Sequence, residues 1–205
     1  MLLFLSIGER GFETYKKLYE AGARGALLRF ETSNPELYQK FRPGVKPSGR
    51  IEHLKFLAEL GYLIITGGLI GLPGQTEEDL LSDIKLTKEL GAEMYSFGPF
   101  LPHPDTPLAS ASPPDINTVL KVIAVSRIFD HQAKLLVTTA LETLDIENGA
   151  RLGLLAGAGS MMINLTPEKY RDFYSLYPGK AQTSIKETLD LLYSLGRAPT
   201  DLGVI

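Results

Sequence analysis

Between Tyr62 and Leu90 the chain spells out a complete strand–turn–helix unit, and this stretch limits the possible folds most tightly. Tyr62-Leu63-Ile64-Ile65 is apolar and partly β-branched, the pattern of a buried strand. Gly67-Gly68-Leu69-Ile70-Gly71-Leu72-Pro73-Gly74 follows, a turn that lets the backbone bend sharply or approach another group closely. Thr76 and Asp79 then stand at capping-box spacing before Leu80, Leu81, Ile84 and Leu90. Asp79, Asp83, Lys85, Lys88 and Glu89 are expected on the polar side of that helix.

The same alternation runs along the chain. Strands are expected at Leu2–Leu5, Ala26–Phe30, 62–66, Glu93–Phe97, Lys134–Thr139 and near Ser160–Ile163. Helices are expected around Phe12–Tyr19, after Asn34-Pro35, around Ile51–Ala58, at 76–90, from Ile116 to near Asp130, and at Ile185–Leu195. Pro43–Ser48 and the proline-rich Gly98–Pro107 read as loops. Repeated βα units predict an α/β chain with a parallel sheet. A complete barrel needs roughly 250 residues, and this chain has 205. It is therefore an open sheet or a TIM-type (βα) barrel short of units, expected to form one domain over 1–205.

Composition narrows the function. A net charge of −3 offers no electrostatic case for nucleic acid or an anionic membrane. No apolar run reaches membrane-spanning length. The chain has no cysteine, so it offers neither a disulfide nor a thiolate for a metal. Cytoplasmic localisation fits that usage.

In a parallel barrel, chemistry sits on the loops after strand C-termini. The strand ending at Phe30 delivers Arg29 and Glu31, either a structural ion pair or a device for a zwitterion, with Arg42 and Arg50 as further cations. The strand ending at Val137 delivers Thr138 and Thr139, either plain β-formers or donors to an anion. His53 and His131 are expected to be solvated, and His103 either points into a site or braces its loop. Met161 and Met162 suit an apolar pocket or the core. Tyr170, Tyr174 and Tyr177 suit packing. No spacing fits a catalytic triad, a zinc site, a Walker loop or a clean dinucleotide fingerprint.

Together these motifs resemble the radical S-adenosylmethionine enzymes. Gly68 to Asp79 resembles their fifth-strand motif, and Leu27-Leu28-Arg29-Phe30-Glu31-Thr32 with Asn34-Pro35 resembles the strand before it. Gly98 to Leu108, Thr138-Thr139-Ala140, Asn164-Leu165-Thr166-Pro167 and Leu176-Tyr177-Pro178-Gly179-Lys180 resemble the biotin-synthase-like branch, in particular the HydE-type hydrogenase maturases, with the methylornithine synthases (PylB) as near relatives. The family fold is a complete (βα)8 barrel whose first strand precedes a Cys-x-x-x-Cys-x-x-Cys loop holding a 4Fe-4S cluster. This chain resembles units three to eight and is expected to be an N-terminally truncated form, without cluster ligands.

The resemblance implies S-adenosylmethionine as cofactor and a 5′-deoxyadenosyl radical as reactive species when the enzyme is complete. It assigns Glu31, Arg50, Met162 and Tyr174 to the S-adenosylmethionine site or its margin. Arg29, Thr138 and Thr139 are assigned to an anion inside the barrel, and the Gly67–Gly74 backbone to the adenine. Partners implied are a small-molecule substrate and other hydrogenase maturases, with no catalytic or metal residue in this chain. Two rival readings stand beside it: a binding module without redox chemistry, and an ordinary barrel lyase or isomerase using Glu31 and His103 as its acid–base pair.

Overall fold

The computed structural model describes residues 2–171, 173 and 177–200. In chain order the elements are β1 (Leu3–Leu5), α1 (Phe12–Glu20), β2 (Ala23–Leu27), α2 (Pro35–Phe41), α3 (Pro47–Glu59), β3 (Leu63–Thr66), β4 (Leu69–Ile70), α4 (Glu77–Glu89), β5 (Met94–Tyr95), β6 (Gly98–Pro99), α5 (Ile116–Phe129), β7 (Lys134–Val137), α6 (Thr139–Leu144), α7 (Gly149–Leu155), β8 (Ser160–Met161), α8 (Glu168–Arg171) and α9 (Ile185–Ser194).

The main sheet has 6 strands in the order β1-β2-β3-β5-β7-β8. Every pairing is parallel, with registers such as Ala26↔Ile64, Thr66↔Tyr95 and Val137↔Met161. Sequential neighbours joined by helices give the curl of an incomplete α/β barrel, with β1 and β8 as its open edges among the described residues. Leu3 on the β1 edge is 57% exposed.

A second tier stands on the C-terminal end of this sheet. β4 pairs with β6, and an isolated parallel bridge joins Glu31 to Gly68. The ends of β2, β3 and β5 thus bend and pair again at the mouth. The bend needs glycine at two places. Gly67 has φ +152°, and a Cβ there would sit 2.5 Å from the Ser96 carbonyl oxygen. A Cβ on Gly68 would sit 2.5 Å from the Glu31 carbonyl oxygen.

The outer helices pack on the sheet in two apolar clusters. Tyr15, Leu54, Leu57 and Tyr62 close over β2 and β3. Ile84, Val119, Ile123, Leu141 and Leu154 close over β5 and β7. Full burial of such side chains contributes about 1.5–3 kcal/mol each. Helix starts follow local chemistry: Asn34 caps α2 ahead of Pro35, and Thr76 and Asp79 form the expected reciprocal box on α4.

Several expectations need correction. The second strand lies at Ala23–Leu27, not Ala26–Phe30; the chain keeps bonding through Leu28 N–H to the Ile65 carbonyl, then bends away at Glu31. α3 begins at Pro47, inside the expected loop, because proline suits a first helical turn. Thr138 caps α6 and Thr139 starts it, so neither belongs to the strand. The proline-rich segment opens with β6. The stretch before Ser160 holds α7, where Gly149 lies against the Leu141 carbonyl and leaves no room for a side chain. Asp83, expected on the polar face of α4, is fully buried.

Candidate functional site

Glu31 is the one non-glycine residue with positive φ among the described residues, at +74°. That conformation costs on the order of 1–3 kcal/mol. Two bonds hold it: Glu31 N–H donates to the Gly67 carbonyl at 3.2 Å, and Leu69 N–H donates to the Glu31 carbonyl at 2.8 Å. The kink turns the Glu31 carboxylate into a row of charges. Its Oε2 lies 3.3 Å from Arg29 Nη2 and its Oε1 lies 3.6 Å from Arg50 Nη1. Oε2 is sealed from solvent, and the Arg29 approach is out of line for a hydrogen bond.

Arg50 is buried behind this pair. Its Nε donates to Glu9 Oε1 at 2.9 Å and its Nη1 donates to the Arg29 carbonyl at 2.6 Å. Glu9 sits in the β1–α1 loop, and its neighbours are pinned on both sides. Tyr15 Oη–H donates to the Gly8 carbonyl at 2.6 Å, and His53 Nε2 meets the Arg10 carbonyl. His53, expected to be solvated, is half-buried, its ring tilted against Phe12 with centroids 4.8 Å apart. Buried charges without partners are costly, so the alternation Glu9–Arg50–Glu31–Arg29 makes the row tolerable.

Two cavities meet at Leu69 and Phe100. The first, about 510 Å³, lies inside the barrel and is lined by Arg29, Ser6, Ser96, Thr138, Thr139, Met162, Tyr177 and Lys180 among others. Arg29 Nη1 and Thr138 Oγ1 converge beside Gly98, at 3.5 and 3.1 Å from where a Cβ there would stand. Glycine at that position leaves room beside the guanidinium and the hydroxyl. Burial pushes the Tyr177 phenol up from its ordinary range, opposed by a hydrogen bond with Thr143 and the Arg29 charge. The second cavity, about 390 Å³, is lined by Glu31, Thr32, Tyr38, Arg42, Leu72 and Leu108 as well as the shared pair. It is mostly apolar, with one carboxylate and one guanidinium at its rim.

The structure therefore brings Arg29, Thr138, Thr139 and Met162 to one cavity and Glu31 to the other, with the Arg29–Glu31 contact joining them. Arg50 stands behind both as a support. Tyr174 lies outside the described residues. His103 faces a smaller hollow with Tyr177 and Lys180, and its Nδ1 accepts from Asp105 N–H at 3.1 Å.

Sequence reasoning missed Glu9, Ser6, Ser96 and the role of Gln75. Glu9 and Ser6 follow a strand end, the position rule that singled out Glu31, but their strand is short and the loop carries no other signal. Gln75 folds back beneath the glycine turn. Its Oε1 accepts from Gly71 and Leu72 N–H at 2.8 and 3.2 Å, and its Nε2 donates to the Leu69 carbonyl at 2.9 Å.

Among the described residues no group of acidic residues and histidines is arranged to hold a metal, and no helix is long and apolar enough to cross a membrane. With no cysteine in the chain, its residues do not fit an iron–sulfur cluster.

Residues 96–198 match the family model of the Biotin and Thiamin Synthesis associated domain. The chain is 42% identical over 201 residues to the FeFe hydrogenase maturase subunit HydE of Thermotoga maritima, covering 95% of this chain and 58% of that protein. It is 28% identical over 200 residues to the 3-methylornithine synthase of Methanosarcina barkeri, covering 96% of this chain and 56% of that one. The crystal structure of methylornithine synthase (PylB) superposes with a TM-score of 0.84 at 25% identity, covering 98% of this chain and 59% of that chain. The chain thus spans less than two thirds of the length of these relatives.

Proposed function

Because this chain belongs to the Biotin and Thiamin Synthesis associated domain family, within the biotin-synthase-like radical S-adenosylmethionine enzymes, we propose that it carries the S-adenosylmethionine and substrate pockets of a HydE-like enzyme of hydrogenase H-cluster maturation. Residues 1–205 act in this reading as one part of a radical S-adenosylmethionine barrel. The carrying observation is the Arg29–Glu31 pair, which joins two adjoining cavities and is backed by Arg50 and Glu9.

S-adenosylmethionine presents an ammonium, a carboxylate, ribose hydroxyls and a flat adenine. The apolar walls Leu69, Leu72 and Phe100 suit the adenine. Glu31 accepts from the ammonium or a ribose hydroxyl, and Arg50 lies within reach of the carboxylate end only if it exchanges a protein acceptor for it. Met162 flanks the adenosyl group from the inner side, and the family pattern assigns Tyr174 to the adenosyl portion or the pocket beside it. Arg29 with the hydroxyls of Thr138 and Thr139 holds a substrate carboxylate or similar anion in the inner cavity. The substrate is then a small, amino-acid-like or iron-bound molecule. When bound beside a reduced cluster, S-adenosylmethionine supplies the radical in this family. The residues here contribute binding, orientation and exclusion of water, and no step through the cluster follows from them. Cytoplasmic placement and other maturases as partners go with this reading.

Isothermal titration calorimetry of the chain with S-adenosylmethionine and S-adenosylhomocysteine tests it. Binding is expected for both, weakened about tenfold or more by Glu31→Gln, as for loss of a hydrogen-bonded charge. Binding of a small carboxylate alone, with no heat from either sulfonium or thioether ligand, would leave the chain a simple anion-binding module.

A further inference from the structure

Asp83 is buried on the inner face of α4 and touches both halves of the mouth. Its Oδ1 accepts from Ser33 N–H at 2.5 Å, two residues beyond Glu31. Its Oδ2 accepts from Gln75 Nε2 at 3.3 Å and lies 3.5 Å from where a Gly68 Cβ would stand. The Gln75 amide cannot turn over, because its Oε1 is committed to Gly71 and Leu72 N–H. Asp83 is therefore the side-chain tie between the loop after Glu31 and the glycine turn, added to the two backbone bonds that pair Glu31 with Gly67 and Leu69. We propose that Asp83 is a positioning residue that holds Glu31 in its left-handed, cavity-facing conformation, and that it does so in the ionised form.

The requirement for charge follows from the donors. Both oxygens accept: Oδ1 from the Ser33 backbone N–H, and Oδ2 from the Gln75 amide, which its bonds to Gly71, Leu72 and Leu69 hold in place. A proton on Oδ2 would face an amide nitrogen that has no acceptor capacity. Burial, with repulsion from Asp79, pushes the Asp83 carboxyl up to about 6, against the pull of the Ser33 and Gln75 bonds. The charged group beside it is Asp79 on its own helix, tied by Asn34 Nδ2 to the same loop, while Glu31 presents only its backbone carbonyl across Gly68 and turns its carboxylate to Arg29 and Arg50. Protonation near pH 6 thus breaks the Gln75 tie at Oδ2 and leaves Ser33 N–H on a neutral oxygen, which loosens the bend at Glu31.

The inference rests on Glu31 as a ligand-facing carboxylate, and amide exchange without ligand tests the positioning separately. Hydrogen–deuterium exchange of the full chain, corrected for the intrinsic pH dependence, is followed over residues 30–34 and over β7 from about pH 7.5 to 5. Protection at 30–34 is expected to fall about tenfold or more, the scale of a lost charge-assisted bond, with β7 unchanged and a midpoint near the Asp83 value of about 6. Asp83→Asn is expected to show the low protection at every pH, since its amide presents a donor to Gln75. S-adenosylhomocysteine affinity by calorimetry is expected to follow the same midpoint. A flat profile at 30–34, wild-type protection in Asp83→Asn, or parallel loss in β7 would overturn the proposal. A local transition without S-adenosylhomocysteine binding at any pH would uphold the positioning role and defeat the cofactor reading alone.

Discussion

Gly68→Ala is the sharpest probe of how the mouth is built. The added Cβ would stand 2.5 Å from the Glu31 carbonyl oxygen, 3.1 Å from its carbon and 3.5 Å from Asp83 Oδ2. The nearest neighbours are backbone, and Asp83 is bonded on both oxygens, so no flexible side chain can swing aside. Forcing a methyl into such a site costs about 1–3 kcal/mol. Separating the strands also weakens the Leu69-to-Glu31 and Glu31-to-Gly67 hydrogen bonds, each worth about 1 kcal/mol. The expected total is about 2–4 kcal/mol, which for a chain of this size lowers the melting temperature by roughly 5–15 °C. Gly49→Ala serves as the opposite control. It lies in α3 with nothing within 4 Å of its added Cβ, and helix propensity makes it stabilising by about 0.5–1 kcal/mol. Thermal melts followed by circular dichroism compare the two. If Gly68→Ala melts within about 2 °C of the wild type, by the same conversion, the close approach of Gly68 and Glu31 is not what holds the second tier together.

Arg29→Ala is expected to weaken a small carboxylate in the inner cavity by about 10–100-fold while reducing S-adenosylmethionine affinity less; equal losses by calorimetry would assign Arg29 to the wrong ligand. The open parallel edges β1 and β8 are expected to drive self-association of this chain, read by size-exclusion chromatography with light scattering, and a monomer at all concentrations would refute that. Stability should also carry the signature of Asp83. Its folded-state value of about 6 lies above the ordinary 3.8, so the folded state holds that proton more tightly. The resulting stabilisation is full below about pH 4 and is lost by about pH 6, roughly 3 kcal/mol in all. Urea midpoints of the wild type and Asp83→Asn should diverge over that window, and a constant difference would contradict the burial argument.

The charge that orients Glu31 at neutral pH therefore costs stability, a trade common where a site stores strain. The left-handed Glu31 and the buried Arg50 belong to the same arrangement. Each is unfavourable alone, and each is held by neighbours from another βα unit.

Apolar periodicity determined much of this chain. The runs at Leu63–Thr66 and Lys134–Val137, the capped α4 and the alternation of strands with helices follow from local pattern, because strand and helix periods differ and caps satisfy nearby backbone groups; the order of the strands in the sheet was settled by the tertiary structure. The strand-end rule also pointed to Arg29, Glu31, Thr138 and Thr139, with Arg50 as a further cation and Met162 as a pocket candidate, and the family resemblance tied Arg50 and Met162 to one ligand. Where local signal was weak, boundaries slipped: Ala23-Arg24-Gly25-Ala26 lacks the apolar density of a typical strand, and α7 is rich in small residues. Tertiary structure alone decided which of these groups meet. Asp83 looks like any helix-surface carboxylate until Ser33, 50 residues away, reaches it. Glu9 and Arg50 pair across 41 positions. Periodicity reports which face of an element is buried, but a buried polar group is set by its partner, and partners distant in the chain leave no mark on the local pattern.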